Sequence, residues 1–181
     1  MAVKIIYFVH GTTIDNELGL ASGWSQVDLS DKGIEESKKL REAVLAKQFD
    51  AVFCSDLRRA VETTNIVFGD RYKMIKDKRL RECNYGDFTG KLSKDFKGKM
   101  TDFITNPFPN GESYRDVEAR VGKFLGFLKE KHDVSTVAIV AHQAPQLAFD
   151  VLVNYKSWKQ AIKEDWRNSG SWKPGWEYIF R

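Results

Sequence analysis

The feature that most constrains this chain is the way its short apolar runs end. Residues 4–9, 51–54 and 136–141 are rich in β-branched, aromatic and small apolar side chains. Each run is followed at once by polar residues: His10-Gly11, Ser55-Asp56-Leu57-Arg58-Arg59 and His142. Continuous apolar runs of this length suit strands that are covered on both faces. Between them lie helical patterns. Ser30 suits an N-cap, and over residues 31–47 apolar side chains recur at Ile34, Leu40, Val44 and Leu45 among charges. Residues 56–67 read as a helix after the second run, and residues 147–154 as one after the third. Residues 113–131 carry a stripe of Val117, Val121, Phe124, Leu125 and Leu128. Residues 91–103 read as a lysine-rich helix ending before Pro107 and Pro109. Residues 74–80 read as a strand, and residues 176–180 as a last strand after Gly170, Pro174 and Gly175.

Alternating strands and helices imply an α/β three-layer sandwich, with a mostly parallel central sheet and helices on both faces. No internal repeat or low-complexity linker interrupts the 181 residues, so residues 1–181 read as a single domain.

In open α/β sheets, ligands gather outside the carboxyl ends of the strands. Three polar strand ends therefore predict one site at one edge. Of only three histidines, His10 and His142 stand at such ends, while His132 reads as a surface residue near a helix end. A lone strand-end histidine is more often structural than chemical. Two at equivalent places, with Arg59 at a third, fit phosphoryl chemistry. A neutral imidazole can attack phosphorus, and a planar guanidinium donates to two phosphate oxygens at once.

Charge and composition exclude some classes. The net charge of +4 favours anionic ligands, but the lysines are scattered without a long basic run, which argues against nucleic acid. Trp158, Trp166, Trp172 and Trp176 read as core packing and a lid over the site rather than as a base-stacking platform. No stretch is apolar enough to span a membrane; residues 134–149 are interrupted by Ser135, His142, Gln143, Pro145 and Gln146. The opening MAVKIIYFVHG lacks the form of a signal peptide, and Cys54 and Cys83 form neither a metal-type pair nor a disulfide framework. A cytoplasmic setting follows as the expectation. No metal-ligand cluster and no cofactor motif is legible.

Six blocks, in order, resemble a known family. His10-Gly11-Thr12-Thr13 with Asn16 is similar to an Arg-His-Gly-Glu-Thr signature. Ser22-Gly23-Trp24 with Leu29-Ser30-Asp31-Lys32-Gly33, and Ser55-Asp56-Leu57-Arg58-Arg59-Ala60 with Thr63-Thr64, resemble the next two. Leu80-Arg81-Glu82 with Gly86 and Gly90, then Gly111-Glu112-Ser113-Tyr114, then Val140-Ala141-His142, complete the series. The chain thus resembles the histidine phosphatase superfamily, also called phosphoglycerate mutase-like, over nearly its whole length.

The resemblance implies roles. His10 is the nucleophile that forms phosphohistidine. Arg59 and His142 bind the phosphoryl oxygens. Gly11 lets backbone amides come close, Asn16 adds a neutral donor and a Gly23 amide another. Glu82 protonates the leaving oxygen and then takes a proton from water, which requires a carboxyl that can be held protonated. Arginine and imidazole supply the positive charge, so no metal or other cofactor is implied.

Two departures matter. The arginine that precedes the histidine in the family is absent, with Val9 in its place or the turn shortened. The residue after the second histidine is Gln143 rather than glycine, which either donates to phosphate or points away. Arg58 and Arg81 are further candidates for the missing charge. The expected activity is hydrolysis of a small-molecule phosphomonoester by a monomer or homodimer. The alternatives are phosphoglycerate mutase-type transfer and a weakly active or non-catalytic phosphate-binding module.

Overall fold

A computed structural model describes residues 2–181. In chain order the elements are β1 (Val3–Val9), α1 (Ile14–Glu17), α2 (Asp31–Val44), β2 (Ala51–Cys54), α3 (Arg58–Phe68), β3 (Met74–Lys76), α4 (Lys94–Lys97), α5 (Tyr114–Lys131), β4 (Thr136–Ala141), α6 (Gln143–Leu152), α7 (Trp158–Lys163), α8 (Trp166–Ser169) and β5 (Trp176–Phe180). Single 3-10 turns lie at Lys78–Leu80, Gly86–Phe88 and Met100–Phe103. The strands form one sheet in the order β3-β2-β4-β1-β5. The first four are mutually parallel and β5 runs antiparallel to β1.

Side chains alternate across each strand, so the apolar runs feed two cores at once. Ile5, Tyr7 and Phe53 join Phe124, Leu125, Leu128 and Phe149 of α5 and α6 on one face. Ile6, Phe8 and Val52 join Leu40, Val44 and Phe68 of α2 and α3 on the other. Helices cover both faces, as the unbroken apolar runs require. No helix among the described residues is long and apolar enough to cross a membrane.

The register brings the polar strand ends together. Val9 of β1 lies opposite Ala141 of β4, and Cys54 of β2 lies opposite Val140 of β4. The next residues, His10 and His142, therefore leave the sheet side by side, with Ser55 beyond. The ladder extends past the strands: the His10 N–H donates to Ala141 O at 3.2 Å and the Ser55 N–H to Val140 O at 3.0 Å.

Several expected elements differ, each for a physical reason. The helix over 31–47 stops at Val44, because the next apolar residue, Leu45, points to solvent. The strand over 74–80 stops at Lys76, where Asp77 caps a 3-10 turn by accepting the Arg79 N–H at 2.8 Å. The lysine-rich helix over 91–103 is broken at Gly98 into α4 and a 3-10 turn. Helix α6 begins at Gln143, well before the expected residue 147, because a carboxylate from elsewhere in the chain caps it. Pro145 causes no break in its first turn, where the N–H has no helical partner anyway. The short helices α1, α7 and α8 have little periodicity; α7 is announced only by its Ser157/Gln160 capping box.

Phe53 is fully buried and meets Phe124 edge-to-face at 5.5 Å. Phe53→Ala is expected to lower unfolding stability by about 3–5 kcal/mol, read from the urea midpoint. A loss near zero would contradict a core packed through β2.

Candidate active site

His10 begins the turn after β1. Its Nδ1 lies 2.7 Å from the carbonyl of Gly11, which can only accept, so Nδ1 carries the proton and Nε2 the lone pair. Arg59 reaches that lone pair from the first turn of α3, its Nε donating to His10 Nε2 at 3.3 Å. The same guanidinium donates to Ser25 O at 3.0 Å and Gly23 O at 2.8 Å. Arg59 is 2% exposed, and none of these acceptors is a carboxylate. Gly23 stands at φ +49°, and a Cβ there would lie 2.9 Å from Thr89 Oγ1, so a larger residue would displace the carbonyl that holds Arg59.

His142 is the N-cap residue of α6 and its ring centroid lies 5.0 Å from that of His10. The Tyr7 hydroxyl fixes its main chain, donating to His142 O at 2.7 Å and accepting the His142 N–H at 3.1 Å. Both ring nitrogens of His142 are buried without a partner. Burial, reinforced by the Arg59 charge, lowers the His10 pKa from 6.5 to about 3. Burial and then Arg59 and His10 also drive the His142 pKa well down. Two neutral imidazoles thus face an unpaired guanidinium.

Glu82 follows the turn Lys78–Leu80 and is buried. One carboxylate oxygen accepts the N–H groups of Cys83 at 2.8 Å and Ala144 at 3.0 Å; the other accepts that of Gln143 at 3.2 Å. Glu82 therefore caps the N-terminus of α6, where the helix presents free N–H groups and positive potential. Its own carbonyl accepts Trp24 Nε1 at 2.7 Å and Arg120 Nη2 at 2.9 Å. Arg120 is in turn paired with Glu112 at 2.9 Å.

The sequence-derived candidates divide clearly. His10, Asn16, Glu82 and Gln143 line both of two adjoining cavities, one shared with Gly23 and Arg59, the other, of about 280 Å³, with His142. The Gly23 N–H donates to nothing among the described residues. Asn16 has committed its side-chain oxygen to the Thr13 N–H at 3.0 Å, leaving its amide nitrogen as the free donor. Two of the candidates have further partners. The Gly11 N–H is bound to Thr63 Oγ1 at 3.0 Å, and a Cβ on Gly11 would sit 2.5 Å from Gly33 O, so Gly11 also allows close packing against α2. The Gln143 amide nitrogen gives one of its two N–H groups to Asp165 at 2.6 Å. His132, expected at the surface, is half-buried and edge-on to Phe53 at 5.2 Å.

Sequence reasoning missed Tyr7, Arg120 and Arg167, and it gave Thr63 only as part of a motif. The Tyr7 hydroxyl and Arg120 carried no signal beyond ordinary strand and helix residues. Of the tryptophans, Trp158 is core, whereas Trp166 and Trp172 line a cavity of about 470 Å³ beside His10, as a cover would.

Comparison with known proteins gives the family and agrees with the fold. A family model described as histidine phosphatase superfamily (branch 1) matches residues 6–161. The chain belongs to that superfamily. Phosphoserine phosphatase 1 of Hydrogenobacter thermophilus is 28% identical over 155 residues, covering 81% of this chain and 74% of that protein. A 2,3-bisphosphoglycerate-dependent phosphoglycerate mutase of Streptococcus equi subsp. zooepidemicus is 40% identical over 97 residues, but these cover 49% of this chain and 41% of the mutase. The solved alpha-ribazole phosphatase from Shigella flexneri superposes with a TM-score of 0.74 at 25% identity, covering 90% of this chain and 84% of that one.

Both site histidines have folded pKa values below the ordinary one, so their stabilising effect is present above about pH 6.5 and is lost as pH falls below it, for His10 down to about pH 3. Each is expected to add a slope of about 1.4 kcal/mol per pH unit in that window, because the unfolded chain takes up protons that the folded site refuses. Urea midpoints measured from pH 7 to 4 check this. His142→Asn should flatten the slope, and an unchanged slope would contradict buried neutral imidazoles.

Proposed function

We propose that this chain, as a single domain over residues 1–181, is a phosphomonoester hydrolase that works through a phosphohistidine on His10. The observation that carries the reading is the buried Arg59 guanidinium, unpaired with any carboxylate, facing two neutral imidazoles. A buried cation without a counter-charge is costly, and a tetrahedral anion meets that need.

The chemistry follows from the atoms present. Phosphate oxygens draw the Arg59 Nε–H away from His10 Nε2, whose 3.3 Å contact is long for a hydrogen bond and readily exchanged. The freed lone pair attacks phosphorus in line. The N–P bond forms as the bond to the leaving oxygen breaks, and Glu82 gives that oxygen a proton. Water then attacks phosphorus, Glu82 takes a proton from it, and His10 leaves as a neutral imidazole. Arg59, one N–H form of His142, the Asn16 amide and the Gly23 N–H offset charge on the equatorial oxygens. The positive charge comes from protein groups, so the scheme uses no metal ion.

To deliver a proton Glu82 has to release part of its cap on α6, so substrate binding and the start of that helix are linked. Hydrolysis is favoured over mutase transfer by the short stretch after Glu82, residues 91–110, and by the greater share of the phosphoserine phosphatase that the chain spans. A small-molecule phosphomonoester substrate and a cytoplasmic setting complete the reading.

Acid-stable quenching is unsuitable for phosphohistidine, so the trap uses alkaline quench and mass spectrometry. Wild type should carry one phosphoryl group on His10 during turnover. His10→Ala should lose at least roughly a thousandfold in kcat. Glu82→Gln should lose about 10²–10⁴-fold on alkyl phosphates, and much less on aryl phosphates whose leaving group needs no proton. Equal turnover by wild type and His10→Ala across a phosphomonoester panel would refute the proposal.

A further inference from the structure

We infer that Arg167 is a ligand of the phosphoryl group and supplies the guanidinium that position 9 does not. The inference rests on the reading of this cavity as a phosphate site.

Position 9 is valine, which has nothing to offer an anion. The two arginines nearest the site motifs are both committed elsewhere. Arg58 lies at the surface on Asp28, 2.9 Å away. Arg81 makes a two-pronged pair with Asp56, both contacts at 2.7 Å, and its guanidinium lies over Trp24 at 4.8 Å. Among the described residues, the cations lining the cavity with His10, Glu82 and His142 are Lys97 and Arg167.

Arg167 is held in place rather than free. Its Nη1 donates to Asp165 at 2.9 Å, its Nη2 to Gln146 at 3.1 Å, and its plane lies over the Trp166 ring at 4.5 Å. A guanidinium has five N–H donors, so most of the fork remains available to the cavity. Asp165, itself 6% exposed, holds Arg167 through one oxygen and the Gln143 amide through the other. One buried carboxylate thereby holds both the neutral amide and the charged fork at the cavity. The effect reaches both imidazoles, since the Arg167 charge disfavours protonation of His10 and of His142. Lys97, by contrast, is exposed at the rim on the four-residue α4. It is a point charge suited to the far end of a substrate.

The geometry also explains a substitution that looks disabling in sequence. A phosphate site that lost its strand-end arginine can regain a planar, always-charged donor from a segment more than 150 residues downstream, provided a buried acid orients it. Asp165 acts through Arg167 and Gln143 and is a positioning residue.

The test is titration calorimetry with orthovanadate on the full chain, alongside kcat/KM for a phosphomonoester. Arg167→Ala should bind vanadate at least about tenfold more weakly and lose roughly a hundredfold in kcat/KM, with circular dichroism showing a folded chain at the assay temperature although the buried Asp165 loses its ion-pair partner. Arg167→Lys should recover part of the affinity, and added guanidinium should restore turnover to Arg167→Ala, which a purely structural role would not allow. Wild-type vanadate affinity in Arg167→Ala overturns the proposal, as does a loss that guanidinium and Arg167→Lys both fail to repair. A wild type that binds vanadate but turns over no phosphomonoester refutes the hydrolase reading alone, and weaker binding by Arg167→Ala would then still support this one. A wild type that binds no vanadate refutes both.

Discussion

Everything at this site depends on one buried charge. Arg59 cannot lose its proton in a protein, yet it is held by two backbone carbonyls and an imidazole, with no carboxylate in contact. Burial weakens its hold on the proton in the same sense as it weakens those of His10 and His142. Three groups that would all gain from an anion in direct contact are thus packed together, while the nearby Glu82 carboxylate is turned to the backbone of α6. The neutrality of the imidazoles is a consequence of this arrangement, because a second positive charge beside Arg59 in a water-poor pocket is strongly unfavourable. Neutral imidazole is also the form that has a lone pair to give. On the proposed reading, the interaction that favours an anion in the pocket also keeps His10 in the form that can attack it.

The protein holds these groups with main-chain contacts more than with side-chain pairs. Parallel register between β1 and β4 sets the two histidines side by side. The Tyr7 hydroxyl pins His142 through both its N–H and its carbonyl. Glu82 ties the chain after α3 to the start of α6 by capping it, and Arg120, paired with Glu112, grips the Glu82 carbonyl from α5. An error at any of these points displaces one of the clustered side chains, since positions are fixed by strand ends and helix starts that the two cores make rigid.

Much of this was legible before any coordinates. The apolar runs ending in His10, His142 and the Ser55–Arg59 segment specified buried parallel strands with polar carboxyl ends, and that is enough to place a site. Short-range chemistry was legible too, as with the Ser30 cap. What stayed hidden depended on contacts between segments distant in the chain. The true start of α6 could not be read because its cap, Glu82, is 61 residues away from Gln143. The hold of Asp165 on one Gln143 N–H, and the room that Gly11 leaves for Gly33, are contacts of the same kind. The α8 segment has too few residues to show a period, and its importance lies wholly in where the fold sets it down.

The most direct test is a crystal structure with orthovanadate bound. Vanadium should be five-coordinate with His10 Nε2 at one apex, Arg59 and His142 on the equatorial oxygens, and Glu82 within hydrogen-bond reach of the opposite apical oxygen. Vanadium bound away from His10, or bound to it while Arg59 keeps its contact with Nε2, would contradict a site built around that unpaired guanidinium.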